Sequence, residues 1–106
     1  KIMERFLYFK DGANDAYANS VNNLLAIQQT GDTTVTLTFV ARSGDVAVDT
    51  VALTITDEKE VEVCEGIINS INHSTDPFVV VFDNVSGDKV HSDISASAIT
   101  LDSLAD

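Results

Sequence analysis

The apolar residues of this chain fall into short runs parted by polar turns, and most runs alternate with a period of two. The clearest is "TTVTLTFV", residues 33–40. Val35, Leu37 and Phe39 share one parity, and Thr34, Thr36 and Thr38 the other. That is the pattern of a strand with one face in a core and one in water. "RSGD" (Arg42–Asp45) reads as a turn and "VAVDTVALTIT" (Val46–Thr56) as the return strand of a long hairpin. The parity changes within the return: Val46 and Val48 are even, whereas Val51, Leu53 and Ile55 are odd. A slip of one residue would turn every side chain to the opposite face. A bulge near Asp49 and Thr50, or a break into two strands, is therefore expected.

Four further runs extend the strand count. Phe6–Phe9 is apolar on both parities and predicts a well-covered strand, closed by a turn at Asp11 and Gly12. "LLAIQQ" (Leu24–Gln29) predicts a brief strand, and "FVVVFDN" (Phe78–Asn84) a central one. "ISASAITL" (Ile94–Leu101) predicts a strand of small residues, with the last five residues a loose tail. Ala13–Asn23 is polar and rich in Asn, and reads as a loop holding a short strand around Tyr17.

One segment breaks the period-two rule. In "DEKEVEVCEGIINSIN" (Asp57–Asn72), Val61, Cys64, Ile67, Ile68 and Ile71 recur at helical spacing, with Val63 off that face. Asp57 suits an N-cap and Glu60 stands three residues on, as in a capping box. Asp57, Glu58 and Glu60 would meet the positive end of the helix dipole. The alternation in Glu60–Cys64 fits a strand, but a strand leaves Gly66–Asn72 unexplained. The spacing predicts one amphipathic helix over 57–72. Gly66 costs about 1 kcal/mol against Ala in a helix interior, so it is expected where the helix packs closely. The architecture implied is α+β, a mostly antiparallel sheet or partly closed barrel covered by that helix.

Composition narrows the function more than the fold. At 106 residues the chain fits a single β-rich domain, residues 1–106. Seventeen acidic and six basic residues give a net charge of −11. The basic residues are scattered, and a nucleic-acid partner is not expected because its affinity rests on phosphate neutralisation. The longest apolar run, Phe78–Phe82, is too short for a bilayer, so no membrane partner is expected either. The lone cysteine allows no intrachain disulfide.

No P-loop, G-x-G-x-x-G, H-E-x-x-H or G-x-S-x-G motif occurs. His73 and His91 have no neighbouring ligand, so neither a zinc site nor any other cofactor is expected. Asp83 and Asp88 flank one turn, and Asp11 and Asp15 another. Turn chemistry accounts for such residues, with a weak calcium site as the alternative. Cys64, between Glu62 and Glu65 in a buried stripe, is expected to be an inert thiol. No catalytic residue and no enzymatic activity are expected.

"VALTITDEKEVEVCEGIINSIN", followed by "FVVVFDNVSGDKVHSDISASAITL" and preceded by "FLYFKDG", resembles small virion proteins of marine tailed phages, notably those infecting cyanobacteria. A Thr-rich strand leads there into an acidic-capped helix, then an "FVV" strand and a closing hairpin. The resemblance spans nearly the whole chain and carries no catalytic motif. It implies a virion location and a capsid cement or decoration protein. Such a protein would contact the major capsid protein or other virion proteins, with self-association also allowed. A neck or tail component is one alternative, and a small cellular binding or regulatory module, calcium-dependent or not, is another. The Asn-rich segment is the expected contact loop, with Tyr17, Asn19 and Asn22 as interface residues. On that reading Tyr17→Ala would leave the melting temperature nearly unchanged.

Overall fold

The computed structural model describes residues 5–40, 47–73 and 77–104. Its strands are β1 (Phe6–Gly12), β2 (Asp15–Ser20), β3 (Leu24–Gly31), β4 (Thr34–Val40), β5 (Ala47–Ile55), β6 (Phe78–Asp83) and β7 (Ile94–Leu104). One helix, α1 (Glu60–His73), joins β5 to β6, and a 3₁₀ turn at Val21–Asn23 joins β2 to β3. The fold is α+β with mostly antiparallel sheets and no closed barrel.

The strands form two sheets. Sheet A has the order β2-β1-β6, with β1 antiparallel to β2 and parallel to β6. Sheet B has the order β3-β4-β5-β7, antiparallel throughout. Leu7 and Phe9 of β1, and Val79, Val81 and Phe82 of β6, share one buried cluster with Val35, Leu37 and Phe39 of β4. Val51, Leu53 and Ile55 of β5 and Ile94 of β7 complete the cluster from sheet B, and Val63 and Ile67 come from α1. The period-two face of β4 is thus buried as its pattern predicts, and its Thr side faces outward.

The β4–β5 hairpin holds its register without a break from Thr34↔Thr54 to Val40↔Val48. Its "RSGD" turn lies outside the described residues. The parity conflict is resolved differently from expectation. β5 itself does not bulge against β4. Asp49 takes the inward parity of Val51 and Leu53 and is buried, with 2% of its surface exposed. The irregularity lies in the β5–β7 ladder, where Leu101 and Asp102 stand opposite the single Asp49. A carboxylate faces the interior, and the extra residue belongs to the partner strand.

Four other expectations change. The short strand expected around Tyr17 is present, but it takes up most of Ala13–Asn23 in place of a loop: β2 pairs with β1 along Phe6↔Ser20 to Lys10↔Ala16. β6 is not central but terminal in sheet A. Its outer side is met by its own return loop through a Phe82↔Lys89 bridge and a 3.0 Å bond from Val90 N to Val81 O. β6 and β7 form no hairpin, because they lie in different sheets. The tail continues β7 to Leu104, which pairs with Ala47.

The helix exists where predicted, but it begins later and presents another face. Glu58 has φ 67°, a left-handed conformation that blocks helical continuation from Asp57. Lys59 occupies the cap position, its carbonyl accepting the Val63 N–H at 3.0 Å. Asp57 therefore does not cap α1. Val63 and Ile67 are buried, whereas Val61 is 58% and Ile68 44% exposed. Cys64 and Ile71 flank the buried stripe, half-covered. Gly66 does mark a close approach: a Cβ there would lie 3.3 Å from the His91 ring, so the neighbour is the β6–β7 connection.

Candidate contact surfaces

Of the three residues expected at an interface, the structure directs two inward. Phe9 and Tyr17 pair across β1 and β2, which puts both on the inner face of sheet A. The Tyr17 ring lies 6.4 Å from that of Phe9 and 5.7 Å, edge-on, from Phe39. Its hydroxyl donates to Asp49 Oδ2 at 2.8 Å, and Asn19 Nδ2 donates to the Tyr17 oxygen at 2.6 Å. Asn19 Oδ1 accepts the Ser20 N–H and the Asn23 amide. Tyr17 and Asn19 therefore connect sheet A to the buried Asp49 of sheet B. Asn22 alone is exposed, its N–H donated to Ser20 Oγ at 3.1 Å in the 3₁₀ turn. Sequence reasoning missed Asp49, although an acid with the parity of Val51 and Leu53 was the available signal.

The Asp83 turn is self-contained. Its Oδ1 accepts the Val85 N–H at 2.9 Å and the Ser86 N–H at 3.1 Å. The Ser86 N–H above all holds this carboxyl below its ordinary range, aided by the Val85 N–H and by Lys10. Gly87 closes the turn at φ 86°, where a side chain would be strained. No group of three His, Cys, Asp or Glu residues gathers as in a metal site among the described residues. Cys64 is half-buried rather than fully so. Burial, and next Glu60, push its thiol above the ordinary value, which disfavours the reactive thiolate. His91 Nδ1 accepts the Asp93 N–H at 3.1 Å and stands 3.4 Å from the Asp93 carboxylate, inside the loop that faces Gly66.

Two outward faces remain. On sheet A, Phe6 pairs with Phe78 and Tyr8 with Val80, so four apolar side chains share the outer face. Phe6 is 40% and Phe78 46% exposed, and the Tyr8 and Phe78 rings lie 5.0 Å apart. Lys10, opposite Asp83, ends this patch. On sheet B the outward rows are Ala26–Thr38–Thr50–Thr100 and Gln28–Thr36–Ala52–Ala98, without a charge. The acidic residues gather elsewhere, with Asp57, Glu58, Glu60, Glu62 and Glu65 at or on α1.

No helix among the described residues is long and apolar enough to cross a membrane. Comparison with family models, with curated proteins and with solved structures finds no match.

Proposed function

We propose that the protein is a non-catalytic structural component of a virus particle, a capsid cement or decoration protein acting through protein–protein contacts. The observation that carries this reading is the outer face of sheet A, where Phe6, Tyr8, Phe78 and Val80 cluster. Aromatic side chains are enriched at the centres of interfaces, and charged ones are depleted there. The major capsid protein is the proposed partner. The resemblance to phage virion proteins supports the same role, as does the placing of five acids at or on α1, away from that aromatic face.

Quantitative mass spectrometry of purified particles tests this. A decoration protein is recovered at a copy number comparable with the major capsid protein. A few copies per particle would instead assign it to the neck or tail. Absence from particles of a host that expresses the chain would overturn the proposal.

A further inference from the structure

The two sheets have four terminal strands: β2 and β6 in sheet A, β3 and β7 in sheet B. Two of these are met by other parts of the chain. The loop after β6 bonds back onto it through Val90 N to Val81 O and Asp83 N to Asp88 O, at 3.0 and 2.8 Å. β7 runs beside β1, and Lys89 Nζ reaches the Ile94 carbonyl at 3.0 Å. Among the described residues, the backbone bond outside the sheet ladders that reaches β2 or β3 is the one from Leu24 N–H to the Val21 carbonyl, within the turn that joins them.

β2 and β3 are consecutive, joined only by the turn at Val21–Asn23. One continuous stretch, Ala16–Gly31, thus supplies nearly all of both remaining edges. Its sixteen residues contain no Asp, Glu, Lys or Arg, in a chain with twenty-three of them. Asp15 and Asp32 bracket it. Monomeric proteins commonly guard an edge strand with charge or proline, because its row of N–H and C=O groups is a template for another strand. β3 has neither. Leu25 is 58% exposed, and Ala26, Gln28 and Gln29 are exposed beside it.

We propose that the β3 edge is a self-association site, where a second copy of this chain adds its own β3 in antiparallel register. The occupant follows from charge. Two copies at −11 repel one another over most approaches. The Ala16–Gly31 side is the stretch of edge where they meet without opposing carboxylates. Antiparallel pairing of identical strands is also self-complementary, as a two-fold interface requires. The extra residues Leu25 and Thr30 bend β3 at either end and leave Ala26–Gln29 in regular register. The shared ladder is therefore short. The interface belongs in the weak class, below about 1,200 Å² of total buried surface, and repulsion between the remaining surfaces opposes it at low salt.

Sedimentation velocity across protein concentration, at about 0.05 M and about 1 M salt, tests the proposal. The Debye length shrinks from above 10 Å to about 3 Å over that range, so the dimer fraction rises with salt. Gln28→Lys places like charges near the two-fold axis and weakens dimerisation at least about tenfold. Val85→Lys makes the same change in net charge on the exposed β6–β7 turn and leaves dimerisation intact. Circular dichroism checks that both variants fold. Amide exchange in the dimer slows at Ala26–Gln29. A monomer under all conditions, equal behaviour of the two variants, or new protection confined to β1 and β6 would each overturn the proposal. So would a β3 edge that captures an extended peptide but never a second copy. These outcomes concern β3 alone, so they leave the role proposed for sheet A to its own test.

Discussion

Tyr17 and Asp49 are 32 positions apart and meet through one 2.8 Å hydrogen bond. That contact turns an apparently isolated aromatic into a tie between the sheets. Removing the ring would leave a hole against Phe9 and Phe39, so Tyr17→Ala is expected to destabilise the fold by about 3 kcal/mol, the low end for truncating a core aromatic. Tyr17→Phe keeps the packing but removes both the donor to the buried Asp49 and the acceptor of the Asn19 amide, for a loss of about 2 kcal/mol. Urea denaturation of both variants checks the order. Equal, negligible effects would return Tyr17 to the surface role that its polar sequence context suggests. Asp83 carries the pH prediction. Its folded-state pKa is depressed by the Ser86 and Val85 N–H groups, so its contribution to stability is present above the unfolded carboxyl pKa, about 3.9. That contribution is lost as pH falls through the lower folded value. Asp83→Asn retains an oxygen for the turn and no longer titrates. Melting scans from about pH 6 to about pH 2 are expected to show a shallower acid limb in the variant.

At the scale of elements, α1 separates what the residue pattern reveals from what it does not. A helix was legible because five apolar residues at helical spacing are hard to place on a strand. Its inward face was not, because "VEVCEGII" offers two overlapping stripes. The choice between them is made by the surroundings. Gly66 against His91 brings one side of α1 close to the β6–β7 connection, and Val63 and Ile67 then enter the core. Ile67→Ala is expected to cost about 2–5 kcal/mol, and Val63→Ala to destabilise in the same direction. Val61→Ala and Ile68→Ala are expected to stay within about 0.5 kcal/mol. Thermal denaturation of the four variants would expose an error if Val61 or Ile68 proved the costlier. The strands tell a similar story. β4 was legible because one parity is wholly apolar. β2 was legible only as a short strand around Tyr17, because Ala, Tyr and Asn alternate with little contrast in hydropathy, and its pairing with β1 supplies the extent its sequence does not advertise.

For the whole molecule, the sheets divide the surface by chemistry. Five acids lie at or on α1, Thr–Ala rows cover the outside of sheet B, and Phe6, Tyr8 and Phe78 stand outside sheet A. Composition gave the net charge and could not show this segregation, because it arises when strands distant in sequence are placed side by side. Phe6 and Phe78 become neighbours only through the parallel β1–β6 pairing, which no local pattern encodes. In the function proposed above, this aromatic face holds the protein to a particle. Incorporation of Phe78→Glu into particles, measured by quantitative mass spectrometry beside Val61→Glu as a control on the exposed side of α1, tests it most directly. Phe78→Glu is expected to be largely lost from particles while its isolated domain stays folded, and Val61→Glu to incorporate like the unaltered chain. Full incorporation of Phe78→Glu, or equal loss of both variants, would contradict it.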